Sequence, residues 1–170
     1  MLETGSIAQG QIRLDDRDIR ILAILQREGR ITKAALAERV HLTPTPCWER
    51  LKRLEEAGVI EGYGAQISLR ALGPRITVFV EVFLESHDSE AATRFESAMA
   101  DFSNIVGCWG VGGGFDYLLK VVSRDLEDYR NVMDAVLEAH IGVTRYNTYV
   151  VTTPVKDVPV PVELLAGALT

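Results

Sequence analysis

Apolar positions in the first sixty residues recur at helical spacing in three separate stretches. In LDDRDIRILAILQREG, Leu14, Ile21, Leu22 and Leu25 share one side, acids fill the first turn and Gly29 follows the end, which predicts a helix over about 15–28. RITKAALAERVHL carries Thr32 as an N-cap with Leu36 and Val40 inward, and predicts a short helix over about 33–40. The third stretch, HLTPTPCWERLKRLEEAG, opens with two prolines in three residues. The first helical amides have no intrahelical acceptor, so with Thr43 as N-cap, Pro44 and Pro46 fall where a missing N–H costs nothing. The Thr43 hydroxyl is then expected to accept from the amide of Thr45. Cys47, Leu51 and Leu54 form the inward stripe, and Gly58 suits the C′ position. Pro46, Glu49, Arg50 and Arg53 are expected opposite that stripe, with Trp48 and Glu55 on a flank. VIEGYGAQISL alternates weakly around glycines and reads as a hairpin or wing. Three helices and a wing make a winged helix-turn-helix.

The pattern changes after SLRALGPR, which has no periodicity and contains Gly-Pro, so the linker is placed at 68–75. Ile76, Val78, Val80, Val82 and Leu84 alternate with Thr77, Phe79, Glu81, Phe83 and Glu85 as a strand does. A helix over 89–102 turns Ala92, Phe95 and Met99 inward. Short strands over about 105–111 and 117–123 flank VGGGFD. A helix over 126–139 and a strand over 143–153 follow. The order βαββαβ is that of a ferredoxin-like split βαβ sandwich with helices on one face of the sheet. The fold class is therefore α+β: a tail over 1–13, the winged unit over 14–67, the linker, the βαββαβ unit over 76–156 and a tail over 157–170. The uncovered sheet face is expected to hold Phe79, Phe83, Trp109, Tyr117, Leu119 or their neighbours, an apolar surface suited to a second subunit.

Charge changes the picture only when counted by region. The chain of 170 residues has a formal net charge of −6, yet residues 1–63 hold ten Lys+Arg against ten Asp+Glu, and residues 64–170 hold eight against fourteen. A neutral winged unit with a locally basic face can still grip phosphates. In a recognition helix the N-terminal turns face base edges, which points to Thr43, Thr45, Pro46, Glu49 and Arg50; Lys52, Arg53, Thr32 and Lys33 suit phosphates. Arginine can fork onto guanine, and glutamate can accept from cytosine N4. Trp48 suits helix packing or a subunit contact better than base reading.

Other classes are disfavoured. ITVFVEVFL is interrupted by a charge and too short to span a bilayer, and the N-terminus lacks the basic and apolar regions of a signal peptide, so a cytoplasmic protein without a membrane partner is expected. Cys47 and Cys108 read as buried free thiols. His41, His87 and His140 have no acid or thiol at ligand spacing, and no nucleophile–base motif occurs, so neither metal, cofactor nor catalytic residue is expected.

The stretches TPTPCWERLKRLEEAGVI, LDDRDIRILAILQREGRITKAALAERV, GGGFDYLLKVVSRDLEDYRNVMDAVL and YNTYVVTTPVK resemble the Lrp/AsnC, or feast/famine, family of transcription regulators. The resemblance covers about residues 14–156. It implies an N-terminal domain binding double-stranded DNA, a C-terminal domain binding an amino acid or derivative as effector, and homodimers that can close into octamers. It also implies an effector site near the turn joining the two middle strands, here Gly112, Gly113, Gly114, Phe115, Asp116 and Tyr117. The family's usual turn reads Gly-Asp-Tyr/Phe-Asp-Tyr; Gly114 removes a carboxylate beside the site, so the usual effectors are not carried over. Three glycines permit a ligand close to bare backbone, although a hairpin turn also uses glycine. Asp116 reads either as a turn cap or as an acceptor for an effector's amino group. Tyr149 and Thr152 on the last strand join the candidate effector residues. TPCWERLKRLEEAG with VGGGFDYLLKVV further resembles members linked to catabolism of ectoine or other amino-acid derivatives. Two alternatives share the architecture: sirohaem decarboxylases, whose tetrapyrrole-handling histidines and basic residues are poorly matched by an acidic second half, and an effector module without DNA binding, which the intact recognition helix disfavours.

Overall fold

The computed structural model describes residues 12–166. These form two compact units, one of residues up to Ile67 together with those from Val158 onward, the other Ser68–Asp157. The tail expected over 1–13 lies almost wholly outside the described residues.

The first unit is built on α1 (Asp16–Arg27), α2 (Lys33–Arg39) and α3 (Pro44–Glu56). Asp15 opens α1 with a reciprocal capping box: its carboxylate accepts from the Arg17 and Asp18 amides, and Asp18 accepts from the Asp15 amide. Thr32 caps α2 by accepting from Ala35 N. Thr43 stands at the N-cap of α3 with Pro44 at N1, but its hydroxyl makes no cap hydrogen bond, contrary to expectation. Ile21, Leu36, Val40, Cys47, Leu51 and Leu54 make the core, and Gly58 ends the third helix with φ +69°. The stretch expected to pair as a wing contains no paired strand. Its residues 61–67 are all exposed and interrupted by Gly62 and Gly64, so no buried face holds two strands in register. The segment expected as a trailing tail instead carries a short helix, α6 (Val162–Ala166), on the first unit, where Gln26 Nε2 donates to Val160 O at 2.7 Å and Arg27 pairs with Glu163.

The second unit is the expected βαββαβ sandwich: β1 (Ile76–Leu84), α4 (Ser89–Ala98), β2 (Ile105–Gly110), β3 (Tyr117–Ser123), α5 (Leu126–Glu138) and β4 (Val143–Val150). The sheet order is β2-β3-β1-β4, antiparallel between all neighbours. Val78, Val80, Val82, Leu119 and Val121 pack under Phe95 of α4 and Met133 and Val136 of α5. The helix expected to reach residue 102 ends at Ala98 and passes into a 3-10 turn, Met99–Asp101. The open face carries Thr77, Phe79, Glu81 and Phe83 of β1, with Leu118 of β3 and Trp109 of β2 in register beside them. Tyr117 and Leu119, also expected there, are core residues at 7% and 0% exposure, because β3 begins inward at Tyr117 and its neighbour Leu118 takes the open side. Trp109 lies over Gly107, where a Cβ would stand 2.4 Å from the ring.

Candidate DNA interface and effector cleft

The helix-turn-helix is closed by Leu42 N–H donating to Ala37 O and His41 N–H to Glu38 O, with His41 in the left-handed region at φ +54°. That turn presents the first two turns of α3, where Thr43, Thr45, Pro46 and Glu49 are all exposed, as Lys52 is further along. Thr32 is engaged as the α2 cap. Lys33 Nζ sits 3.2 Å from the centroid of the Trp48 ring, a cation–π contact that keeps a positive charge at the start of α2 and accounts for the half-exposed tryptophan. Lys52 makes only a loose 3.5 Å pair with Glu56.

Arg50 corrects the expectation from helical periodicity. Its Nη1 reaches Asp18 Oδ1 at 2.8 Å and Asp15 Oδ2 at 2.7 Å, and Arg53 Nη2 pairs with the other oxygen of Asp18. Asp18 is fully buried. A buried carboxylate requires charged donors, so these arginines turn toward α1 rather than straight outward. Arg50, at 27% side-chain exposure, ties the recognition helix to α1 through Nη1; the Arg53 side chain is more open, at 47%. Burial pushes the Asp15 carboxyl up, but hydrogen bonds from the Asp18 amide and Arg50 outweigh it and hold it below its ordinary value. Its two aspartate partners push the Arg50 guanidinium higher.

In the second unit, a cleft of about 560 Å3 lies at the end of β1, lined by Phe83, Leu84, His87, Gly113, Gly114, Phe115, Asp116, Thr144 and Arg145. Gly112 is outside this lining. None of the three glycines is in the left-handed region, and a Cβ on any of them would meet open space, so neither backbone conformation nor packing within the chain demands glycine there. Asp116 N–H donates to Val82 O, and Asp116 Oδ2 accepts from Leu84 N–H at 2.9 Å, so the carboxylate does cap the turn against β1. Its Oδ1 lies 2.8 Å from His87 Nδ1, an ion pair when the imidazole is protonated. The Arg145 guanidinium lies 3.9 Å from the Phe83 centroid, and Phe83 meets Phe115 edge-on.

Besides Gly112, three further candidate effector residues lie outside the lining of this cleft. Tyr117 points into the core and donates to Glu96 Oε1 at 2.8 Å; burial, then Glu96, pushes its phenol up to about 12. It borders a separate cavity of about 240 Å3 that shares Leu84, His87 and Asp116 with the cleft. Tyr149 pairs with Phe79, five residues from Leu84 along β1 or roughly 16 Å at strand rise, and its hydroxyl donates to Glu81 Oε2 at 3.0 Å. Thr152 lines a cavity of about 1040 Å3 with Gly73–Thr77 and Lys120 at the far end of the sheet. His87 and Arg145 line the cleft as well, although the glycine-turn motif does not point to them. The one available signal was that Arg145 has the open-face parity of its strand and pairs with Phe83. Cys108 is pushed up to about 11 by burial and then Glu96, leaving a protonated thiol at neutral pH.

A helix-turn-helix with an exposed recognition helix, followed by a βαββαβ unit with a polar cleft, is the architecture of a transcription regulator with its own ligand-binding domain. Residues 14–61 match the winged helix-turn-helix DNA-binding family, and residues 77–161 match the Lrp/AsnC ligand binding domain. The chain is 46% identical over 145 residues to the transcriptional regulatory protein DoeX of Halomonas elongata, covering 85% of this chain and 92% of that one. It is 41% identical over 144 residues to the leucine-responsive regulatory protein of Escherichia coli K12, covering 85% and 88%. Among solved structures it is similar to a transcriptional regulator from Neisseria meningitidis in complex with L-Met, at TM-score 0.81 and 31% identity over 89% of this chain and 99% of that one. This chain belongs to the Lrp/AsnC family: it is a DNA-binding transcription regulator, not an enzyme. Among the described residues no helix is long and apolar enough to cross a membrane.

Proposed function

We propose that this regulator changes its DNA binding or assembly when an amino acid or amino-acid derivative occupies the cleft at the Gly112–Gly114 turn. The observation that carries the reading is the cleft's composition: an arginine, a carboxylate–histidine pair, two aromatic rings and bare glycine backbone at one sheet end. Binding L-Met by the Neisseria relative, and the leucine-responsive name of the Escherichia coli relative, support the ligand class. Thr43, Thr45, Pro46 and Glu49 are assigned to base edges, Lys52, Arg53 and the Lys33 region to phosphates. Arg50 is assigned to positioning α3. The apolar open face, with Trp109 48% exposed beside Phe79 and Leu118, is assigned to a cytoplasmic homodimer that can build larger assemblies. Catabolism of ectoine or a related derivative is the pathway we assign to it.

Calorimetric titration with leucine, methionine and ectoine, alongside gel shifts with and without each, tests the reading. Gly113→Val introduces a side chain into space the chain leaves open, so it should fold normally, retain unliganded DNA binding and lose the effector response. An unchanged response in Gly113→Val would place the effector site elsewhere.

A further inference from the structure

The cleft holds one carboxylate, Asp116, and one guanidinium, Arg145. Asp116 is the cleft's acid, yet both its oxygens have polar neighbours: Oδ2 accepts from the Leu84 amide at 2.9 Å, and Oδ1 lies 2.8 Å from His87 Nδ1. Arg145 is the cleft's guanidinium, and among the described residues it makes no hydrogen bond or ion pair; its contact is the face of Phe83 at 3.9 Å. Stacking on a ring leaves the in-plane N–H donors free, and those donors match a carboxylate in a forked geometry.

We propose that Arg145 is the specificity-determining residue of the cleft, and that it selects effectors by a free carboxylate rather than by an amino group. This rests on the effector-cleft reading above. An incoming ammonium gains less at Asp116, because it shares that carboxylate with the Leu84 amide on Oδ2 and with His87 beside Oδ1. An incoming carboxylate gains a charge-assisted fork at Arg145 with no partner to displace. Phe83 and Phe115, in edge contact beside the guanidinium, offer an apolar wall for the remainder of the ligand. The class defined is an organic acid with an apolar or weakly polar tail, of which amino acids are one kind.

The test is isothermal titration of the full-length protein with three matched probes: L-methionine, its 2-hydroxy acid analogue and L-methioninamide. The two acids should bind within about threefold of each other, and the amide roughly ten- to hundredfold more weakly, the range for losing a charged hydrogen bond. Arg145→Met should abolish the preference for acid over amide, while Arg145→Lys, which keeps the charge and loses the fork, should retain part of it. Arg145 is exposed on a strand, so both variants should keep the wild-type thermal midpoint. A hydroxy acid binding tenfold more weakly than the amino acid, or an Arg145→Met protein with unchanged preference, would overturn this proposal and leave the cleft reading standing. Failure of wild-type protein to bind any of the three, or leucine or ectoine, would overturn both.

Discussion

Replacing Arg50 by alanine should destabilise the DNA-binding unit before it affects any contact with DNA. Asp18 is fully buried and receives charged donors from Arg50 at 2.8 Å and from Arg53, besides the Asp15 amide. Removing the only partner of a buried charge costs about 3–5 kcal/mol. Here Arg53 remains, so the loss reduces to one charged hydrogen bond, about 1.5–3 kcal/mol. The exposed Asp15 contact adds less than about 1 kcal/mol. The expected total is about 1.5–4 kcal/mol, which for a small unit with a urea slope of about 1 kcal/mol/M lowers the midpoint by roughly 1.5–4 M. Trp48 lies in the first unit and Trp109 in the second, so urea titration followed by fluorescence in a Trp109→Phe background reports the first unit alone. A double-mutant cycle with Asp18→Asn should return a coupling of at least about 1 kcal/mol. If Arg50→Ala kept the wild-type stability within about 0.5 kcal/mol and lost operator binding, the clamp would be refuted and Arg50 returned to the DNA surface.

Thr32→Ala should cost about 1 kcal/mol, because its hydroxyl caps Ala35 N, whereas Thr43→Ala, which loses no cap bond, should be nearly neutral in stability and show its effect in operator affinity. Lys52→Ala should weaken binding to specific and unrelated DNA alike and flatten the salt dependence by about one counterion, read from gel shifts over a range of salt. The carboxyls of Asp15, Asp88 and Asp128 are all held below their ordinary value, so the unfolded chain binds protons first. Their contribution to stability is therefore present above about pH 4 and is lost as pH falls through the lower folded values; urea midpoints should hold between pH 7 and 5 and drop below about 4. A midpoint that rose on acidification would reverse that assignment.

Helical spacing, the Pro44 start, the Asp15 and Thr32 caps and the alternation from Ile76 to Leu84 are local features, each acting within a turn or a strand, so the sequence by itself determined seven of the secondary elements near their true limits and the βαββαβ order of the second unit. The motif around Gly112–Asp116 located the cleft for the same reason, since a turn's lining is largely its own residues. What the tertiary structure decided depends on partners far apart in sequence. Arg50 and Arg53 face outward on a helical wheel, but a buried aspartate on another helix attracts their flexible side chains. Tyr117 and Leu118 exchanged expected faces because strand parity is set by pairing with β1, not by composition. Tyr149 and, beyond the end of β4, Thr152 lie away from the cleft because antiparallel register carries that end of β4 from the glycine turn, and the same register brings Arg145 opposite Phe83 and into the cleft's lining. Side-chain identity supplies the chemistry; only the register of distant strands and the helix packing settle which groups meet.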